Sequence, residues 1–335
     1  MKRGKVYNRI YTPEKWEKVN KENKAIIDDF LLEYKQQKKS EGTINGYFND
    51  LRIIMVKIME DFGNKSVLEM TKKDFRRLNL WFDESGMSPA RCNRLHSACN
   101  SLLTFCEDDD DYDYDINTSK KVKGVPNKKV KTNEDDFFFT FEEFIKVRNI
   151  LVEQGELQLA VLFSMSFDSA ARRSEVFQVR KQGLLDGNKT NVVIGKRGKE
   201  FPLVYLDDTK ELIRQYLEQR GEDDIDSLWI TGVGENKRPA SKDALYDRVA
   251  GRINNILSQV RGEETNIFFH TIRHSRLECL AQGTDDRLKD ENGENKKFPI
   301  DQIQILAHHS SCDTTFSYLK NHDSDVINDM FGFEK

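Results

Sequence analysis

Five residues near the C-terminal end, His270-Thr-Ile-Arg273-His274, bring together two imidazoles and a guanidinium. If the segment is helical, His270 and Arg273 lie about one turn apart and present one face. Groups of the same kinds recur elsewhere. Arg172 and Glu175 stand in ARRSEV, Lys196 in GKRGKEFPL, and His308, His309 and Tyr318 in HHSSCDTTFSY. Guanidinium forks match the oxygens of a phosphate, imidazoles accept and release protons near neutrality, and a phenol is a potential covalent nucleophile. Taken singly, each has an ordinary explanation: a solvated arginine, an exposed turn lysine, a tyrosine packed in a core with its hydroxyl at the surface. His270 and His274 are spaced to share a metal ion. However, no acidic residue lies between them as in a His-Glu-x-x-His site, and no third ligand completes the set. No metal and no cofactor are expected.

These groups need elements to hold them. A chain of 335 residues suggests two domains. Residues 1–21 read as an N-terminal extension. Residues 22–106 read as a bundle of about four helices. Ile26, Ile27, Phe30, Leu31 and Tyr34 make one apolar face, and Ile44, Tyr47, Phe48, Leu51, Ile54, Met55, Ile58 and Phe62 make another. Thr71 is placed to cap a third helix, and Ser88-Pro89 to start a fourth. Cys92, Cys99 and Cys106 recur every seven residues and, with Leu95 and Leu102, read as one buried stripe rather than a redox or metal site.

Composition breaks at residues 107–136. EDDDDYDYD is followed by KKVKGVPNKKVK, and neither run can build a core alone, so the stretch reads as a charged linker. The lysines would be either a solvated tether or a strap along phosphates. From 137 to the end the pattern is mainly α with a small β-sheet. A capping box, Thr140 to Glu143, opens the first helix, and another follows over 157–167. ARRSEVFQVR reads as helical, two short strands over 191–206 flank a Gly-Lys-Arg-Gly turn, and further helices are expected near 208–220, 241–260, 271–282, 299–307 and 313–321.

The formal net charge is −4, which argues against a uniformly basic surface, but it is unevenly spread. Residues 1–106 carry +6 and residues 137–335 carry −6. No apolar run is long enough to cross a bilayer, and the basic N-terminus lacks the apolar segment of a signal peptide. A cytoplasmic protein with no membrane partner is expected.

As an ordered set, the polar groups resemble the tyrosine recombinase (phage integrase) family. The resemblance rests on Arg172 in ARRSEV, Lys196 in the hairpin, His270 and Arg273 in HTIRH, and His309 nine residues before Tyr318. It covers about 137–322. The helical N-terminal region is similar to the family's core-binding (SAM-like) domain, and no separate arm-binding domain is expected ahead of it. The resemblance implies site-specific cutting and rejoining of duplex DNA through a 3′-phosphotyrosine on Tyr318, without metal or ATP. It implies Arg172 and Arg273 on the phosphate oxygens, Lys196 protonating the leaving oxygen, His270 as general acid or base, His309 donating to the phosphate, and Glu175 as support.

Three positions depart from the usual pattern. Ala171 precedes the first arginine, Arg173 follows it where a small or apolar residue is common, and His308 stands where glycine usually precedes the last histidine. His274 is expected to face elsewhere. The apolar residues of the tail (Val326, Ile327, Met330, Phe331, Phe333) would dock on a neighbouring protomer, in a dimer to tetramer on DNA, or on their own domain. Accessory DNA-bending proteins would be possible partners. The competing reading is a recombinase-fold DNA-binding regulator that cuts little or nothing.

Overall fold

The computed structural model describes residues 10–126 and 138–319. The chain divides into two compact units, Met1–Val130 and Lys131–Lys335, each with its own hydrophobic core.

The first unit is all helical: α1 (Pro13–Lys18), α2 (Lys21–Gln36), α3 (Glu41–Asp61), α4 (Lys72–Glu84) and α5 (Pro89–Asp108). The starts are written locally. Thr12, Asn20, Ser40 and Ser88 each accept a first-turn N–H, and Thr71 with Asp74 forms a capping box. Ile27, Leu51, Ile54, Phe75, Leu95 and Leu102 meet in the core. Two buried polar groups fix how the helices meet. Asn23 accepts from Val67 N at 2.7 Å and donates to Lys65 O at 3.0 Å. Asp50 binds Arg91 and Arg94 across from α3 to α5 at 2.6 and 2.7 Å. Cys92, Cys99 and Cys106 are buried free thiols, and burial pushes Cys99 and Cys106 up to about 12, so they stay protonated and unreactive.

Two expected boundaries move. The stretch read as an N-terminal extension contains α1, and Ile10 and Val19 are buried in the bundle core. The acidic start of the expected linker also belongs to the bundle. Glu107 and Asp108 finish α5, and Tyr114 and Val122 are buried against it. Tyrosines interleaved with the aspartates make this possible. Tyr112 packs on Phe105 and donates to Asp29 at 2.7 Å. Asn117, 1% exposed, then ties the returning chain to Asn100 O and Thr104 Oγ1. Lys120 pairs with Glu107 at the surface. Residues 127–136 of the expected linker, and the tail from residue 320 on, lie outside the described residues.

The second unit is mainly α with two two-stranded antiparallel sheets. Its order is α6 (Phe141–Glu153), α7 (Leu157–Asp168), α8 (Arg173–Val176), β1 (Lys189–Ile194), β2 (Glu200–Val204), α9 (Asp207–Arg220), β3 (Ile230–Thr231), β4 (Arg238–Pro239), α10 (Lys242–Arg248), α11 (Asn254–Arg261), α12 (Phe269–Gln282), α13 (Ile300–Leu306) and α14 (Cys312–Phe316). A π-turn over Val249–Ile253 joins α10 to α11. The helix expected over ARRSEVFQVR lasts only one turn. Arg180 turns out to pair with Ser227 as a β-bridge, and Gln178 bonds to β1, so the chain leaves the helix to meet the sheets.

α7 is the buried spine, apolar around nearly its whole circumference. Phe144 of α6 stacks on its Phe167 at 4.1 Å. A buried ionic network fixes α12 relative to the elements around α7. Arg276 of α12 pairs with Asp285, and Asp285 accepts from Arg287 at 2.8 and 2.9 Å. Arg287 reaches Asp168 at the end of α7 at 2.9 Å and Asp208 of α9 at 3.0 Å. These partners hold the Asp208 and Asp285 carboxyls below the usual range against the opposing effect of burial. Breaking one member of such a set would leave an unpaired buried charge, a cost of about 3–5 kcal/mol.

Candidate active site

The site gathers at the end of α7, the start of α12, the β1–β2 hairpin and the segment around α14. α7 stops at Ala170, whose φ of +49° lies in the left-handed region, and its carbonyl accepts from the Arg273 guanidinium at 2.5 Å. Two residues on, Arg172 opens α8. Glu175, 1% exposed, accepts from the Arg172 backbone N–H at 2.8 Å and from its guanidinium at 3.0 Å. Arg172 itself is half-buried and open on one side.

Arg273, on the first turns of α12, is 1% exposed. Its Nη2 donates to Ala307 O at 2.5 Å and to His309 Nε2 at 2.7 Å. Because Arg273 can only donate, His309 Nε2 is the acceptor and the ring proton sits on Nδ1, facing Thr315 Oγ1 at 3.0 Å. Burial first, then the charges of Arg273 and Arg172, push His309 down to about 3, so it is a neutral imidazole. Burial and the charge of Arg172 bring Arg273 down to about 10, and it stays cationic at neutral pH. Arg273 Nε is buried with no partner among the described residues.

Tyr318 lies within this group. Its ring is 4.8 Å from His309, 6.4 Å from His270 and 5.3 Å from the Arg273 guanidinium carbon. It also stacks on His274 at 4.3 Å with 22° between planes, and His274 Nδ1 donates to the Tyr318 carbonyl at 3.0 Å. His274 therefore faces the tyrosine rather than away from it. The helical spacing that places His270 beside Arg273 did not account for the chain returning from α14 across the next residue of α12. Partial desolvation, then Arg273 and Arg172, hold His270 below the ordinary imidazole value. A cavity of about 230 Å³ opens among Arg172, Arg273 and His270, walled by Arg173, Tyr246 and Phe268. Arg173, one of the departures from the family pattern, lies over the Tyr246 ring at 5.3 Å.

The hairpin closes over Glu175. A Cβ at Gly195 would come within 2.7 and 2.9 Å of the Phe201 ring and 3.2 Å of Glu175 Oε1, so this position admits no side chain without movement. Lys196 stands exposed on the single 3₁₀ turn that follows, Lys196–Gly198. The lysine laid against the cluster is Lys199, with Nζ 3.4 Å from His308 O. His308 takes a φ of +52°, which explains why glycine is common there. Its ring stacks on Phe201 at 3.4 Å, away from Tyr318, and burial lowers its pKa. The doubled histidine is thus resolved, with His309 turned inward and His308 against the hairpin.

Among the described residues, no three His, Cys, Asp or Glu side chains form a metal set, and no helix is long and apolar enough to cross a membrane. Lys199 was not singled out in the sequence, and His274 was expected to face elsewhere. The one available signal was position, since each lies within three residues of an expected site residue.

No family model matches the chain. Among curated proteins it is similar to the SPbeta prophage-derived recombinase-like protein YomM of Bacillus subtilis. The two are 25% identical over 328 residues, covering 92% of this chain and 90% of that one. It is also similar to the tyrosine recombinase XerC of Treponema denticola, 23% identical over 291 residues, covering 83% and 88%. Along most of its length the chain is similar to tyrosine recombinases. Solved tyrosine recombinases share its fold. XerH bound to a palindromic difH substrate superposes with a TM-score of 0.62 at 17% identity, covering 85% of this chain and 79% of that one. A lambda integrase dimer, residues 75–356, bound to a COC′ core site gives 0.60 at 13% identity, covering 87% and 96%. Within the recombinase fold, Arg172, Glu175, His270, Arg273, His309 and Tyr318 fall into one neighbourhood, with Lys196 on the hairpin beside it.

Proposed function

We propose that the protein is a site-specific DNA recombinase that cuts and rejoins duplex DNA through Tyr318. The observation that carries this reading is the placement of the Tyr318 ring among His309, Arg273 and His270, beside a cavity walled by Arg172 and Arg273. In the proposed reaction the Tyr318 hydroxyl oxygen attacks a backbone phosphorus. The bond to the 5′-oxygen breaks, leaving a 3′-phosphotyrosine and a 5′-hydroxyl. His270 takes the phenolic proton, and Lys196, carried on the hairpin tip, supplies one to the departing oxygen. Arg172 and Arg273 hold the non-bridging oxygens, whose charge grows in the transition state, and Arg273 Nε would gain the acceptor it lacks. The bond energy stays in the ester, so rejoining is the same step reversed and needs neither ATP nor metal. In this arrangement His309 orients Arg273, and it can donate to the phosphate only by releasing that bond.

Relatives solved as a dimer on a core site and as a tetramer on a Holliday junction support duplex DNA as partner and a homo-oligomer on it. Tail exchange between protomers and accessory DNA-bending proteins belong to the same reading, as does action in the cytoplasm.

The test uses purified protein, supercoiled DNA carrying sequence that flanks its own gene, and chelator throughout. The wild type should give a protein–DNA adduct that survives denaturation, and Tyr318→Phe should bind the DNA but give none. An adduct that persists in Tyr318→Phe would move the nucleophile elsewhere. Tight, specific binding with no adduct from the wild type would favour the DNA-binding regulator.

A further inference from the structure

The segment that carries Tyr318 is short and mostly exposed. α14 has five residues and ends two residues before the tyrosine, and from 311 to 319 only Thr315 and Leu319 are buried. Its polar anchors toward the rest of the unit include Thr315 Oγ1 on His309 and Cys312 Sγ on Gln304. Neither holds the tyrosine residue itself, whereas His274 does so twice. Its Nδ1 donates to the Tyr318 carbonyl at 3.0 Å, and its ring lies under the phenol ring at 4.3 Å. Phe138 meets the His274 ring edge-on at 5.9 Å and braces it. His274 immediately follows Arg273 on α12.

We infer that His274 is a positioning residue for the nucleophile: it latches the Tyr318 main chain and ring to the same helical turn that carries the phosphate-holding Arg273. This inference rests on the recombinase reading for its purpose, but not for its geometry. Two consecutive residues of one rigid helix would then set the spacing between nucleophile and phosphorus. A misplacement of about 1 Å is enough to cost about a hundredfold in rate. The His274 Nδ1 proton is engaged by the Tyr318 carbonyl, so this nitrogen holds rather than transfers a proton.

The test compares full-length wild type, His274→Phe and His274→Asn. Phenylalanine keeps the stacked ring and removes the donor. Asparagine places an amide N–H where Nδ1 sits and removes the ring. Amide hydrogen exchange is read across residues 312–319. The phenylalanine variant should exchange about five- to tenfold faster in that segment alone, the change expected for one hydrogen bond, and asparagine should recover most of the protection. With cleavable DNA, adduct formation by His274→Phe should slow at least about tenfold while DNA affinity stays within about twofold, and His274→Asn should be intermediate. Unchanged exchange in the phenylalanine variant would overturn the latch, and so would faster exchange spread over the whole second unit. The exchange result stands without any chemistry, so a wild type that forms no adduct counts against the recombinase reading alone.

Discussion

A buried guanidinium is costly unless it is answered, and the two terminal nitrogens of Arg273 are answered by two main-chain carbonyls and a neutral imidazole. The neutral state of His309 is part of that answer, because a protonated ring would place two cations 2.7 Å apart. This has a consequence for stability. In the unfolded chain the imidazole titrates near 6.5, whereas in the fold it is held down to about 3. Between those values the unfolded state binds the extra proton, so stability falls as pH drops. From pH 7 to pH 5 the loss from His309 should be about 2 kcal/mol, and His270 and His308, also lowered, add in the same direction. Denaturant melts across that range should show the slope, and His309→Asn should flatten it. A slope unchanged by the substitution would mean that His309 is protonated in the fold.

The β1–β2 hairpin does its work by lying close. Gly195 lets the strand pass against the Phe201 ring and Glu175, which carries Arg172. Gly195→Ala should lift the hairpin, destabilise the second unit by about 1–3 kcal/mol and slow cleavage more than it weakens DNA binding. A thermal melt and an adduct assay on the same preparation would check both, and an alanine variant of wild-type stability would contradict the close approach. Elements of this kind were legible in the sequence wherever the signal was local. The helix cap at Thr71, the capping box at Thr140, the proline start at Ser88 and the hairpin turn are all found. What was not legible depended on distant contacts. The aspartate-rich run folds because Tyr112 and Tyr114 find α2 and α5. ARRSEVFQVR leaves its helix because Gln178 and Arg180 bond to chain far ahead. His274 faces Tyr318 because residues 44 apart meet, which no helical spacing encodes.

On the scale of the whole chain, each unit closes its own core. Phe30, Leu51 and Leu102 belong to one, and Phe144, Phe163 and Trp229 to the other. Fragments 1–130 and 131–335 should therefore each unfold cooperatively alone, and circular dichroism melts would check this. A fragment that melts without a transition would show that its core depends on the other unit. The charge is uneven along the chain, +6 over residues 1–106 and −6 over residues 137–335, within a net −4. DNA affinity should fall steeply with salt as phosphate contacts release counterions, and a flat response would count against a DNA partner. The most direct measurement of the central claim is mass spectrometry of the peptide left covalently attached to DNA after proteolysis of the adduct. A nucleotide joined through its 3′-phosphate to Tyr318 is expected. A nucleotide on any other residue, or a 5′-phosphate linkage, would contradict it.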